Sequence, residues 1–156
     1  MRIEWRGEGA LLSKKAKYGL RALIAMGRDG DGRPMLIADL ARRERIPLKY
    51  LEQILLELKK HGVVHSKKGK GGGYQLGRDP REIAFSEVLR ILDGPLALTP
   101  CVSETAYRRC DDCLDVETCG IRVTMKHARD AVVAVFDRTT LAAVIAREKK
   151  FAAAKK

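Results

Sequence analysis

All four cysteines of this 156-residue chain fall within nineteen residues, Cys101, Cys110, Cys113 and Cys119, in the pattern C-x8-C-x2-C-x5-C. Thiolates at such spacings can converge on one metal centre, because a loop lets side chains distant in sequence meet at one point. A lone cysteine is commonly a small core hydrophobe, but a chain with cysteine nowhere else is not scattering it that way. The longest apolar runs, residues 131–136 and 141–146, are too short to cross a bilayer, and residues 1–10 lack the apolar stretch of a signal peptide. The expectation is a cytoplasmic protein with no membrane partner. In that reducing compartment a disulfide framework is disfavoured, leaving metal ligands or redox thiols.

The elements that must position these thiols follow from charge and periodicity. With 46% hydrophobic and 33% charged residues, the chain has enough apolar material for one globular unit. Residues 1–80 carry 18 Lys/Arg against 9 Asp/Glu, and residues 81–156 carry 13 against 11. The first half is therefore the candidate polyanion binder. Between Cys101 and Cys119, Arg108 and Arg109 face Glu104, Asp111, Asp112, Asp115 and Glu117, so the cysteine loop is locally acidic and no nucleic-acid surface.

A first helix is predicted from a Ser13 cap, burying Tyr18, Leu20, Leu23, Ile24 and Met26 before breaking at Asp29-Gly30-Asp31-Gly32. A short helix over residues 37–45, the Ile46-Pro47 punctuation and a helix over residues 48–61 closed by Gly62 read as a helix-turn-helix. Val63, Val64 and then Tyr74, Gln75, Leu76 read as two strands around a cationic, glycine-rich tip over residues 65–73, a β-wing. A nucleotide phosphate loop is the competing reading, but the Gly-Lys-Ser/Thr pattern is missing. In the third helix Leu48, Leu51, Leu55 and Leu58 make a core stripe. That leaves Lys49, Tyr50, Glu52, Gln53 and Lys60 able to meet DNA, with Lys67, Lys68 and Lys70 on the wing. A carboxylate in a major groove is repelled by phosphates, so Glu52 fits best as an acceptor for a cytosine amine.

After Cys119 a helix to about residue 137 carries Ile121, Met125, Ala128, Val132 and Val135 at alternating four- and three-residue steps, a seam for another helix. Thr139 should cap a last short helix through Ile145, with a frayed tail to residue 156. The domain reading is a flexible extension (1–10), a winged helix-turn-helix (11–80), a connecting helix and linker (81–100), the cysteine loop (101–119), a dimerisation helix with a short terminal helix (120–146) and a tail (147–156). His61, His65 and His127 read as surface or packing residues. No catalytic constellation stands out, so no enzyme is expected.

The run PLKYLEQILLELKKHGVVHSKKGKGGGYQLGRD, residues 47–79, strongly resembles the helix-turn-helix and wing of the IscR and NsrR regulators, the Rrf-two superfamily. The similarity continues through Ile83-Ala84-Phe85-Ser86-Glu87-Val88, the cysteine loop and Thr139-Thr140-Leu141, about residues 12–146. The resemblance implies a mainly α fold with a small β-wing, a winged helix-turn-helix plus a long C-terminal dimerisation helix. It also implies a homodimer on double-stranded promoter DNA, controlled by an iron–sulfur cluster or otherwise sensing iron, sulfur, nitric oxide or redox state. In that family the glutamate matching Glu52 looks like a base reader, and the basic residue matching Lys68 enters the minor groove.

The relatives resemble C-x5-C-x5-C or C-x7-C-x5-C, so Cys101 and Cys119 align as outer ligands, Cys113 keeps the final spacing and Cys110 is extra. Where relatives recruit a histidine or a carboxylate this chain has Arg122 and Lys17. All-cysteine ligation of a 4Fe–4S cluster is the expectation, with 2Fe–2S, zinc or a metal-free thiol switch as alternatives. The alternative function is a winged-helix regulator with a structural zinc or thiol loop, controlled by a protein partner or small metabolite.

Overall fold

The computed structural model describes residues 12–155. The expectations placed on residues 1–10 lie outside them. Ser13 has extended backbone and its hydroxyl accepts from the Ala16 amide at 3.0 Å, so α1 (Lys14–Asp29) starts where a side-chain oxygen satisfies an orphan amide. Ser13 also donates through its amide (3.0 Å) and its hydroxyl to the carboxylate of Asp93, the last residue of α4 (Phe85–Asp93). A Cβ at Gly19 would lie 2.3 Å from Leu92 Cδ1, and its absence lets α4 seat against α1.

Helices α2 (Ile37–Glu44) and α3 (Leu48–Lys60) form the helix-turn-helix. Arg45 closes α2 in the left-handed conformation (φ 52°, ψ 47°), and the amide of buried Ile46 returns to the Ala41 carbonyl at 2.9 Å. The buried face of α3 is Leu51, Ile54, Leu55 and Leu58. Leu48 departs from the expected core stripe: it is the first residue of the helix and 42% exposed, and Ile54 takes the interior place. Gly62 (φ +71°) then turns the chain into β1 (Val64–Lys67), antiparallel to β2 (Gly73–Leu76). Val64 pairs with Leu76 and Lys67 with Gly73, so His65, Ser66 and Lys67 belong to a strand and the tip shrinks to residues 68–72. Reciprocal 2.8 Å hydrogen bonds between Met35 and Tyr74 tether β2 to the segment before α2.

A short 3-10 turn (Pro80–Glu82) leads into α4, which packs on α1 and α3. After the cysteine loop come α5 (Gly120–Arg138) and α6 (Leu141–Ala154). The junction between them is clasped to the start of α4: the Phe85 amide donates to Thr139 O and the Leu141 amide to Ile83 O, both at 2.9 Å. Thr140, not Thr139, caps α6, its hydroxyl accepting from Ala143; Thr139 donates instead to the Val135 carbonyl. The expected frayed tail is helical to Ala154, because Leu141 and Ile145 bury α6 against α1 and the Ala- and Lys-rich end has high helix propensity. A missing side chain at Gly27 makes room for Ile145.

The wing tether generates a test. Gly73 has φ +144°, and a Cβ there would sit 2.2 Å from the Met35 carbonyl oxygen, whereas Gly69 (φ +89°) faces open space. Gly73→Ala should cost about 2–4 kcal/mol in urea denaturation and Gly69→Ala only about 1 kcal/mol. Equal losses would show that the close approach of Met35 contributes nothing.

Candidate nucleic-acid interface and cysteine site

The outer face of α3 presents Lys49, Glu52, Gln53 and Lys60 to solvent, and the wing presents Lys67, Lys68 and Lys70. Tyr50 departs from that set. It is half-buried against the core, its ring edge-on to Tyr18 at 5.9 Å. The opposite edge of the helix is marked by Glu57, paired with Lys15 of α1 at 2.5 Å. Lys59 Nζ donates to Ser66 Oγ at 2.5 Å, tying the end of α3 to β1. One face thus offers a carboxylate acceptor, an amide that can donate and accept, and five ammonium groups for phosphates.

The cysteine loop starts on a 3-10 turn (Pro100–Val102) that buries Cys101, with Thr99 Oγ1 3.4 Å from its sulfur. The Arg108 amide reaches back to Pro100 O at 3.2 Å, which folds the loop so that the thiol of Cys110 lies beside that of Cys101. The Thr99 hydroxyl, with help from Cys110 and the Arg122 guanidinium, holds the Cys101 thiol below its ordinary pKa. Cys101 in turn pushes Cys110 up, so Cys101 is the first of the pair to ionise. Cys113 follows in a turn, its amide donating to Cys110 O at 3.1 Å, and Arg109 grips the carbonyls of Cys113 (3.0 Å) and Leu114 (3.3 Å). Asp115 organises the last turn by accepting from the Glu117 amide (3.1 Å) and the Thr118 hydroxyl (2.6 Å).

Cys119 is the N-cap of α5: its sulfur accepts from the Arg122 amide at 3.4 Å. At this position the sulfur stands among the free amides of the first helical turn. The structure therefore brings Cys101 and Cys110 together, links Cys110 to Cys113 by one turn, and sets Cys119 at a helix start. Among the described residues no three His, Cys, Asp or Glu side chains converge on a common point. Arg122 is engaged with a carbonyl, its Nε donating to Cys101 O at 3.4 Å, and Lys17 stands exposed on α1. Neither offers a lone pair as a cation, so the soft donors here are four thiols, a set that suits an iron–sulfur cluster or zinc.

Sequence reasoning missed Arg129. It is the only buried residue of α5, 8% exposed, and its guanidinium donates to the Val102 carbonyl and to Asp130 and lies 3.4 Å from Glu104. A helical arginine reads as a solvated residue. The available signal was its spacing of seven from Arg122, which puts both on one face of the helix.

The model of the Rrf2 family, described as iron-dependent transcriptional regulators, matches residues 12–147. An Rrf2-like HTH-type transcriptional regulator of Rhodobacter capsulatus is 38% identical over 139 residues, 87% of this chain and 93% of that one. IscR of Escherichia coli K12 (DH10B) is 36% identical over 103 residues, 66% of this chain and 64% of IscR. The fold is similar to CymR, the global cysteine regulator of B. subtilis (TM-score 0.71, 29% identity, 87% of this chain and 96% of that one). It is equally similar to T. potens IscR (TM-score 0.71, 25% identity, 91% and 90%). With six helices, a two-stranded wing and a family match across nearly all the described residues, the chain belongs to the Rrf2 family of DNA-binding transcriptional regulators.

Proposed function

We propose that this regulator is a homodimer that reads promoter DNA with α3 and the wing, and that an iron–sulfur cluster held by Cys101, Cys110, Cys113 and Cys119 sets its DNA affinity. The observation that carries this reading is the placement of all four thiols between a buried turn and the N-terminus of α5, a helix with a single buried residue. A bound cluster would supply a labile, redox- and nitric oxide-sensitive centre. The chain supplies the rest. Thr99 favours the thiolate of Cys101, Cys119 caps α5 with its sulfur, Arg109 orders the Cys113 carbonyl, and Arg108 and Arg109 offset part of the loop's acidic charge.

The second copy is argued from α5. Ile121, Val123 and Val135 are 69%, 50% and 58% exposed, and Met125, Ala128 and Val132 are only half-covered by the protomer. A helix with this apolar stripe gains by packing on its own symmetry mate. The adjacency of Cys101 and Cys110 favours one further reading, a metal-free dithiol at the same place. Serine replacements separate the two.

Anaerobically purified protein should absorb between about 320 and 420 nm and carry iron and sulfide. Cys101→Ser and Cys119→Ser should abolish that spectrum. A full, stable cluster in both Cys110→Ser and Cys113→Ser would refute four-cysteine ligation. Wild type that takes up zinc but never iron and sulfide would refute the cluster.

On DNA, Glu52→Ala should relax base preference at one position by about 1–3 kcal/mol. Lys68→Ala should weaken binding to all sequences and reduce the salt slope by about one unit. Operator preferences untouched by Glu52→Ala in a protein that still binds would remove the base-reading role. For assembly, Val135→Asp changes a side chain the protomer leaves exposed, so folding should survive while sedimentation shifts from dimer to monomer. An unaltered dimer in that variant, and in Val132→Asp, would take α5 out of the interface.

A further inference from the structure

We infer that Arg122 and Arg129 act together as a clamp that makes the position of α5 depend on the conformation of the turn bearing Cys101; the inference rests on the proposed cluster-gated dimer. The two arginines are seven residues apart, about two helical turns, and so project from one face of α5. They donate to successive carbonyls, Arg122 to Cys101 O and Arg129 to Val102 O. The pairing is unusual in its burial. Arg129 is the one residue of α5 taken out of solvent, and it is a cation.

A buried guanidinium is tolerated only while its donors and charge are matched, and removing the match costs several kilocalories. Here the match comes from both sides of the junction: Asp130 on the helix, Glu104 and the Val102 carbonyl on the loop. Ser103, also buried, accepts from the Ala106 amide at 3.0 Å and closes the loop over the same spot. Sliding or rotating α5 would strand the Arg129 charge. Rearranging the Pro100–Val102 turn would withdraw its acceptor. The contact therefore resists gradual displacement of the turn against the helix, so that turn and helix must change together if either changes. Arg122 and Arg129 are positioning residues here. Their guanidinium groups touch backbone carbonyls and carboxylates.

The test compares full-length wild type, Arg129→Met and Arg122→Met. The probe is a labelled duplex carrying a two-fold symmetric site selected by wild-type protein from random DNA. Affinity is measured with and without cluster, alongside cluster content, dimer mass and amide exchange of the cluster-free protein. If wild type discriminates the two states by about tenfold or more, each variant should stay dimeric and, compared at equal cluster content, discriminate by under about twofold. Exchange over residues 101–106 should quicken about tenfold or more in the variants. A discrimination ratio preserved in both variants overturns the clamp. If wild type shows no cluster dependence, the proposed function fails and exchange alone decides: faster exchange in the variants supports the clamp and unchanged exchange overturns it. Should Arg129→Met fail to fold, Arg122→Met, at a half-exposed position, decides by the same readouts.

Discussion

Helix α5 contains nineteen residues, about 28 Å of rod, and the protomer buries only one of its side chains. A helix gains little stability from its own hydrogen bonds in water, so its order must come from what holds its ends and what covers its face. The N-terminal end is held by Cys119 as cap and by the two arginine contacts to the Pro100–Val102 turn. The C-terminal end is held by the backbone clasp at Thr139 and Leu141, by Arg90 pairing with Asp137 at 3.2 Å, and by Phe136 against Phe85. Both anchors lead back to other parts of the chain: the first to the cysteines, the second through α4 to Ser13 and the core of the DNA-binding domain. The helix therefore joins the cysteine loop to the winged helix-turn-helix, and its apolar stripe is left uncovered by the protomer.

Charge is divided along the same line. The terminal helix returns to the basic half through Arg28, which bonds Asp29 and reaches Glu44 of α2 and Glu148 of α6; Arg43 shares Asp29. Single exposed pairs of this kind contribute little, but a network spanning three helices fixes their relative orientation. It also consumes carboxylates that would otherwise repel phosphates, leaving Glu52 as an unpaired acid on the outer face of α3. In the cysteine loop the balance is reversed, with acids outnumbering bases and the Arg109 guanidinium turned toward the carbonyls of Cys113 and Leu114. A loop with this balance is disfavoured near DNA, which sets the cysteine loop apart from the basic face of α3 and the wing.

Signals acting within a few residues were legible in the sequence. Ser13, Gly62 and the Asp29–Gly32 break mark ends that local capping and backbone preference determine, and the structure places them there. The exposure of Leu48 and the half-burial of Tyr50 are not legible, because heptad counting cannot see where the first turn of α3 emerges or that Tyr18 stands beside it. The end of α6 reads as a tail because residues 146–154 lack an apolar stripe, yet packing upstream and intrinsic propensity extend the helix. For the site, four clustered cysteines were plain, and so was the face of α3. Which thiols stand adjacent was not legible: the backbone bond from Arg108 to Pro100 decides it, and no side-chain pattern encodes that bond. Arg129 was hidden for the opposite reason, since its burial is created by the loop folding over it.

Similarity of fold leaves the signal itself open. CymR, a cysteine regulator by its description, and an IscR overlay this chain with the same TM-score of 0.71, so the scaffold does not discriminate between their inputs. Discrimination must lie where the scaffold is irregular, and in this chain that is the stretch between α4 and α5. The chain contributes four thiols there, with no histidine in the stretch, a combination that makes sulfur the soft donor set. It also contributes Arg129, which exchanges a solvated surface charge for one that is satisfied only in a particular loop conformation. A scaffold that merely displayed cysteines would gain nothing from that exchange. A scaffold that must report their state to a helix needs a contact whose loss is costly, and a buried, fully matched arginine is such a contact.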